Sequence, residues 1–279
     1  MEIKLNELDT IFISYDEPNA EENFSKLSEQ IHWVKRSHGV KGFDLAHQTA
    51  GNLSETEFTI TVDGDTQVID SFFNKTIDFP ENINAISFNS VNQINGLVYG
   101  NGGVKIWRNE FLKNMNFHEL SKNDGIDFCW DQLYLQLDET VGWTFPNGSA
   151  LQAWRVGFRE GTKLSLNQGK PISFDEIKKQ TRNYQMLMAW LSLGQDVKYG
   201  NYAMLGAHQG LLMSLTEPTK ISLVKDYDYL KNMFNKINDV EKELVDNNEK
   251  LIKLIKENIP LHSIETSKWI KNYAGIYIR

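Results

Sequence analysis

The apolar positions of the chain follow two rhythms, short blocks and helical stripes. Residues 9–16 (DTIFISYD) hold Ile11, Phe12 and Ile13 in one block, which predicts a strand running into a polar loop at 15–19. Pro18 and Asn19 then open a predicted helix through about Ile31, with Phe24, Leu27 and Ile31 at helical spacing. Residues 34–40 predict a second short strand carrying Arg36 and His38. Gly39 and Gly42 flank the start of a second helix, whose apolar stripe is Phe43, Ala46, Ala50 and Leu53. A third strand lies in residues 57–68 (EFTITVDGDTQV), where Phe58 to Val62 stop abruptly at Asp63-Gly64-Asp65. Alternating strands and helices predict an α/β sheet of parallel strands with crossover helices.

Residues 82–89 (NINAISFN) predict another strand. A glycine-rich stretch follows (NGLVYGNGGVKIW, 95–107), with Gly96, Gly100, Gly102 and Gly103 in eight residues. Such density permits close backbone approach to a ligand, or simply a glycine-rich hairpin. It lacks the Gly-Lys-Ser/Thr ending of a Walker loop. Residues 128–137 (FCWDQLYLQL) are mostly apolar, with Asp131 embedded. Residues 148–164 predict a helix on which Arg155, Arg159 and Lys163 form one basic stripe, although Gly157 and Gly161 weaken it. Ser173 and Glu176 predict a capping box for a helix running into 186–193. Residues 194–210 are again glycine-rich and read as a loop containing His208. From Asp226 onward, Leu230, Phe234, Ile237, Val240, Leu244, Leu251 and Ile255 predict an amphipathic helical tail.

The chemistry concentrates at Asp63-Gly64-Asp65. In open α/β sheets, ligands bind at the carboxyl ends of strands. Two hard carboxylates there suit Mg²⁺ or Mn²⁺ shared with substrate phosphates. The competing reading is a hairpin turn with solvated aspartates.

Bulk properties narrow the field. The chain of 279 residues is 41% hydrophobic and 24% charged, ordinary for a soluble globular protein with a full core. No apolar run approaches the roughly 18 residues of a membrane span, and the amino terminus lacks a signal-peptide layout. One cysteine, Cys129, fits a reducing cytoplasm. A net charge of −8 disfavours a broad electrostatic grip on nucleic acid.

The order of these segments resembles the nucleotide-sugar-binding half of glycosyltransferases with the GT-A fold. The resemblance runs through Gly39-Val40-Lys41-Gly42-Phe43, then Ala46-His47-Gln48-Thr49-Ala50, then Glu57-Phe58 and Val62-Asp63-Gly64-Asp65. It covers about residues 9–110. The pieces DEPNAEENF, HGVKG, VDGD, NGLVYGNGGVK and AWRVGFREGTKL extend it, to about residue 210, toward glycosyltransferase-like proteins of tailed phages. Those include enzymes that add glucose or arabinose to hydroxymethylated cytosine in DNA.

The resemblance implies a GT-A-like mixed sheet flanked by helices over residues 1–215 and a helical extension over 216–279. It implies a divalent metal, a nucleotide-sugar donor (UDP-linked by expectation) and modified DNA as acceptor, with a glycan or protein acceptor as the alternative. A non-catalytic binding module and a nucleotidyltransferase are the other readings. By resemblance Asp65 binds metal, Asp63 contacts metal or ribose, and His208 is a candidate third ligand. Tyr15, Asp16 and Glu17 sit beside the base. Arg36, Lys41 and His47 face the nucleotide, and His47 stands where family-two members carry arginine. Gly102, Gly103 and Lys105 shape the sugar and phosphate site, alongside Gly64. Arg155 and Arg159 contact a donor or acceptor phosphate, and Trp143 and Trp154 are candidates for stacking on a base. Asp131 and Glu160 are the carboxylates expected as catalytic base. An ion pair between Glu160 and Lys163 is the plainer alternative for that residue.

Overall fold

The structure, a computed structural model, describes residues 1–100, 103–120, 126 and 133–274. It forms two compact units, Met1–Asn92 with Val98–Phe145, and Gln93–Leu97 with the chain from Pro146 onward. The boundary expected at 215 falls inside the second unit, because helices on either side of it pack together.

The first unit holds strands β1 (Glu2–Lys4), β2 (Asp9–Ser14), β3 (Lys35–His38), β4 (Phe58–Asp63), β5 (Thr66–Val68), β6 (Thr76–Asp78), β7 (Ala85–Asn92), β8 (Val98–Tyr99), β9 (Val104–Arg108) and β10 (Tyr134–Thr144). Its helices are α1 (Ala20–Gln30), α2 (Phe43–Leu53) and α3 (Asn109–Lys113). Among the described residues the main sheet runs β3-β2-β4-β9-β7-β10-β5, with β8 added to β7. The fold class is the expected mixed α/β sheet flanked by helices. β3, β2 and β4 are parallel, as the strand–helix alternation predicts. β9 is antiparallel to β4 and β7, β10 runs parallel to β7, and β5 is antiparallel to β10.

Only Gly64 and Asp65 join β4 to β5, yet β9, β7 and β10 lie between them in the sheet. Four strand spacings of a flat sheet would span roughly 19 Å. The three backbone steps from Asp63 to Thr66 reach at most about 11 Å. The sheet therefore curls until the start of β5 returns to the end of β4. The segment is not a hairpin.

Alternation sorts the strands into two faces. Phe12, Phe58, Ile60, Val62, Ile86, Phe88, Val104 and Ile106 point into the larger core with Leu27 and Ile31. The other face packs Ile11, Ala85 and Trp107 against Ala50, Leu112 and Met115.

The second unit contains α4 (Ala150–Lys163), the short hairpin β11 (Leu166–Asn167) and β12 (Lys170–Pro171), and α5 (Phe174–Lys179). It continues with α6 (Thr181–Ser192), α7 (Gly200–Thr216), α8 (Tyr227–Phe234), α9 (Val240–Ile255) and α10 (Ile264–Trp269). The Ser173–Glu176 capping box is present, but Gln180 splits the expected helix into α5 and α6. The glycine-rich stretch read as a loop is instead largely α7. Its glycines serve close helix packing. A Cβ at Gly157 on α4 would stand 2.8 Å from the carbonyl carbon of Ala203 on α7, a distance real Cβ atoms do not show.

Candidate functional site

The sheet face that bears Ile11, Ala85 and Trp107 changes character row by row toward the carboxyl end of β4. Thr59, Trp107, Ala85 and Tyr134 are successive partners across β4, β9, β7 and β10, and three of them pack in the core. The next row is Thr61, Lys105, Ser87 and Gln136, all polar. Directly opposed residues share a face, so these side chains form a polar band beyond the apolar one. Gln136 Nε2 donates to Asn89 Oδ1 at 3.0 Å, and Asn89 Nδ2 donates to Asp138 at 3.1 Å. Ser87 Oγ is buried without a hydrogen-bond partner among the described residues. An unsatisfied buried hydroxyl costs about 1–3 kcal/mol, which a ligand's hydrogen bond would offset.

At the end of this face stand Asp63 and Asp65, both half-buried. The Asp63 amide donates to the Gly103 carbonyl at 2.8 Å, and the Phe145 amide donates to the Asp65 carbonyl at 2.8 Å. Gly64 is pinned from behind by Asn23, whose Nδ2 donates to its carbonyl at 2.9 Å. A Cβ at Gly64 would stand 2.8 Å from Glu17 Oε2 and 3.0 Å from the Ser14 Cβ, so the end of β2 abuts the turn. Of the residues expected beside the nucleoside base, Glu17 is thus the one whose side chain reaches the turn between the two aspartates. Glu17 accepts from the Tyr15 amide at 2.7 Å, and Tyr15 is 46% exposed.

The loop after β3 reaches α2 through Gly39 and Gly42, whose positive φ values let the chain turn sharply; Lys41 between them is exposed. Asp44 then enters the protein fully buried. Its carboxylate accepts from the amides of Phe117, His118 and Leu120 at 2.8, 2.8 and 3.0 Å, fastening that segment to α2. One turn on, His47 is buried, lies tilted against Phe43 with ring centres 4.1 Å apart, and meets Trp107 edge-on with ring centres 5.7 Å apart. Burial holds its imidazole below the ordinary value, opposed by the carboxylate of Asp63 and reinforced by Lys105. The neutral ring therefore belongs to the electrostatic surroundings of Asp63 and Lys105.

Arg36 is committed to structure. Its two terminal nitrogens fork onto Glu21 at 3.0 and 2.7 Å, Nε donates to Ser14 Oγ at 3.0 Å, and the guanidinium lies 4.9 Å from the Phe24 ring centre. It orients Ser14 rather than presenting a free cation.

Arg155, Arg159, Glu160, Trp154 and His208 belong to the second unit. Arg155 and Arg159 lie over the Tyr227 ring at 4.8 and 5.5 Å, and Arg159 donates to the Tyr227 hydroxyl at 2.9 Å. The two arginines of the basic stripe are thus packed against α8. Glu160 is 3.8 Å from Lys163 and largely covered, the plainer of its two readings. Trp154, expected as a stacking residue, is a core side chain whose Nε1 donates to Gln209 at 2.8 Å. His208 corrects the expectation of a third metal ligand. It is fully buried on α7, with Nδ1 2.7 Å from the Met204 carbonyl and Nε2 3.3 Å from Asn248 Oδ1. Asp131 and Gly102 lie outside the described residues.

Sequence reasoning missed Thr61, Ser87, Asn89 and Gln136. The signal was present in AISFN, where Ser87 and Asn89 alternate with Ile86 and Phe88. Alternation shows that they share a face, not that the face is a site.

No protein-family model and no curated protein matches the chain. Among solved structures it is similar to HddC from Yersinia pseudotuberculosis, at 12% identity over 52% of this chain and 75% of that one, with a TM-score of 0.28. It is also similar to the mannosyltransferase PcManGT from Pyrobaculum calidifontis in complex with GDP-Man and Mn²⁺. That match has 12% identity over 89% of this chain and 87% of that one, with a TM-score of 0.39. Likeness at this level carries no weight for function, which rests on the chain's own residues.

Proposed function

We propose that the chain is a metal-dependent glycosyltransferase that moves a sugar from a nucleoside diphosphate to an acceptor hydroxyl. One observation carries this reading. Asp63 and Asp65 bracket a tight turn at the carboxyl end of a central strand, between two strands that do not pair with each other. A solvated hairpin would need β4 and β5 as neighbours. Instead the turn joins strands four places apart in the sheet, at the β4 end of the face that carries the polar band of Thr61, Lys105, Ser87 and Gln136.

The donor set fits a hard divalent cation such as Mn²⁺ or Mg²⁺. Two half-buried carboxylates stand two residues apart on one turn, and among the described residues no group of three or more His, Cys, Asp or Glu side chains could hold a metal by itself. Mg²⁺ is commonly held by one or two carboxylates with substrate phosphates completing its shell. When bound, the ion would act as a Lewis acid that neutralises the charge developing on the leaving diphosphate. In this reading Asp63 and Asp65 hold the ion, Lys105 adds a cation on the face that carries the polar band, and the unpaired Ser87 Oγ would meet a sugar hydroxyl. Tyr15 offers an exposed ring to the nucleoside base. The buried Gly103 backbone packs directly against Asp63, and its lack of a side chain is what admits the carboxylate there. Asp131 is the carboxylate to test as base, since Glu160 lies against Lys163.

A UDP-linked donor and 5-hydroxymethylcytosine in DNA as acceptor are supported by the sequence resemblance alone. No helix among the described residues is long and apolar enough to cross a membrane.

The test is a thermal-shift screen of UDP-, GDP- and dTDP-sugars with Mn²⁺, comparing the wild type with Asp65→Asn. A ligand that binds only the folded chain raises its melting temperature by mass action. One donor should stabilise the wild type in a metal-dependent way and leave Asp65→Asn unshifted. Absence of any such shift sinks the proposal. Product analysis with hydroxymethylcytosine DNA and with glycan acceptors then separates the acceptors, and released pyrophosphate would mark a nucleotidyltransferase instead.

A further inference from the structure

A cleft in the first unit lies between α1 and β5, its lining reaching Thr66, the residue after Asp65. It encloses about 620 Å³, within the range of small-ligand sites. Two tryptophans line it and are unusually open for their size, Trp33 at 44% and Trp143 at 41% exposure. Neither is loosely held. Trp33 Nε1 donates to the Leu8 carbonyl at 3.2 Å, and Trp143 sits on β10 directly opposite Gln67 of β5.

The rest of the lining is rich in amides, with Asn6, Asn23, Gln30, Gln67 and Asn74. Gln67 Nε2 donates to Asn23 Oδ1 at 2.9 Å, and Asn23 in turn holds the Gly64 carbonyl. Gln30 Nε2 donates to the Val68 carbonyl at 2.9 Å, leaving its buried Oε1 without a partner among the described residues. Side-chain amides offer both donors and acceptors, and aromatic rings offer flat apolar faces. That pairing matches a sugar ring, which presents hydroxyls at its edge and C–H groups on its faces.

Charge selects among flat ligands. Lys26 in the wall is paired with Glu22 at 2.6 Å, while Glu29 and Asp70 add two exposed carboxylates. An acidic rim opposes a phosphate backbone, so stacked nucleic acid bases fit poorly. We propose that this cleft is a binding site for a neutral oligosaccharide, separate from the donor site and independent of metal.

The experiment titrates the full chain, without metal or nucleotide, with maltotriose, mannotriose and triacetylchitotriose. Calorimetry and tryptophan fluorescence report binding, and an oligothymidylate of eight nucleotides serves as the polyanion control. At least one trisaccharide should bind saturably. Its affinity should fall tenfold or more in Trp143→Ala and in Gln30→Leu, and stay within twofold of wild type in Asp65→Asn. Gln30→Leu guards against misfolding of the tryptophan variant, with melting curves confirming that each protein is folded. Three results would each overturn the proposal: no saturable binding of any trisaccharide, undiminished binding in folded Trp143→Ala or Gln30→Leu, or displacement of the sugar by the oligothymidylate. Loss of sugar binding in Asp65→Asn would also overturn it, by placing the sugar in the donor site. Failure of the glycosyltransferase reading leaves these outcomes unaffected, because no donor is present.

Discussion

Asp63 and Gly103 are locked together: the Asp63 amide donates to the Gly103 carbonyl at 2.8 Å, and a Cβ on Gly103 would stand 2.6 Å from the Cβ of Asp63. The glycine is thus a space requirement for the carboxylate beside it. Gly103→Ala must displace Asp63 or the Thr66 hydroxyl, which overpacking data place at about 1–3 kcal/mol. Urea unfolding should register that loss. The metal-dependent thermal shift should disappear in the same variant although both aspartates are retained.

Ser87→Ala separates stability from binding. Its hydroxyl is buried and unpaired among the described residues, so its removal should leave the free protein unchanged or up to about 1–3 kcal/mol more stable. If the hydroxyl serves a donor sugar, the same variant should bind donor several-fold more weakly. Denaturation midpoints and donor titrations on one preparation test both halves. A destabilised variant with normal donor affinity would remove Ser87 from the site.

Gly157→Ala sets helix propensity against packing. In an exposed helix the exchange would stabilise by roughly 1 kcal/mol. Here the new Cβ would run into the backbone of Ala203 on α7, which cannot rotate away as a side chain could. The packing loss should win, with a net loss of about 1–3 kcal/mol by urea denaturation. Ala203 packs by its backbone, so shortening its side chain in Ala203→Gly should not rescue the variant.

His208 gives stability a pH dependence of predictable sign. Burial lowers its imidazole below the ordinary value, and the Met204 carbonyl and Asn248 only partly oppose this. As pH falls through about 6.5, the unfolded chain takes up a proton that the native state refuses. Stability therefore declines on acidification, from near that pH down to the depressed native value. The slope is at most about 1.4 kcal/mol per pH unit for one group. His47 is buried with a shift in the same direction, so both contribute in the wild type. Urea midpoints at pH 7.5 and 5.5 should diverge less in His208→Gln than in wild type.

Much of the fold was legible in local pattern. The alternation of apolar blocks and stripes located β2, α1, β3, α2 and β4, and the Ser173–Glu176 box marked a helix start, because both depend on residues within a turn or two of each other. The Asp63-Gly64-Asp65 break was equally plain. Its meaning was not, since a hairpin and a closure of a curled sheet look alike over twelve residues. Only long-range pairing of β5 with β10 separates them.

Tertiary structure also decided the residues whose role depends on what lies opposite. Ser87 and Gln136 become one polar band with Lys105 only after β7, β9 and β10 are set side by side. His208 leaves the list of ligands because α9 brings Asn248 to its ring. Gly157 and the glycines of α7 weaken helices when read singly, yet they allow two helices to touch backbone to backbone. By itself the sequence determined where strands and helices form and which residues can bind a cation, through short-range periodicity and side-chain chemistry. Neighbours in space determined which of those residues share a site, because burial and hydrogen-bond competition are settled only when distant segments pack.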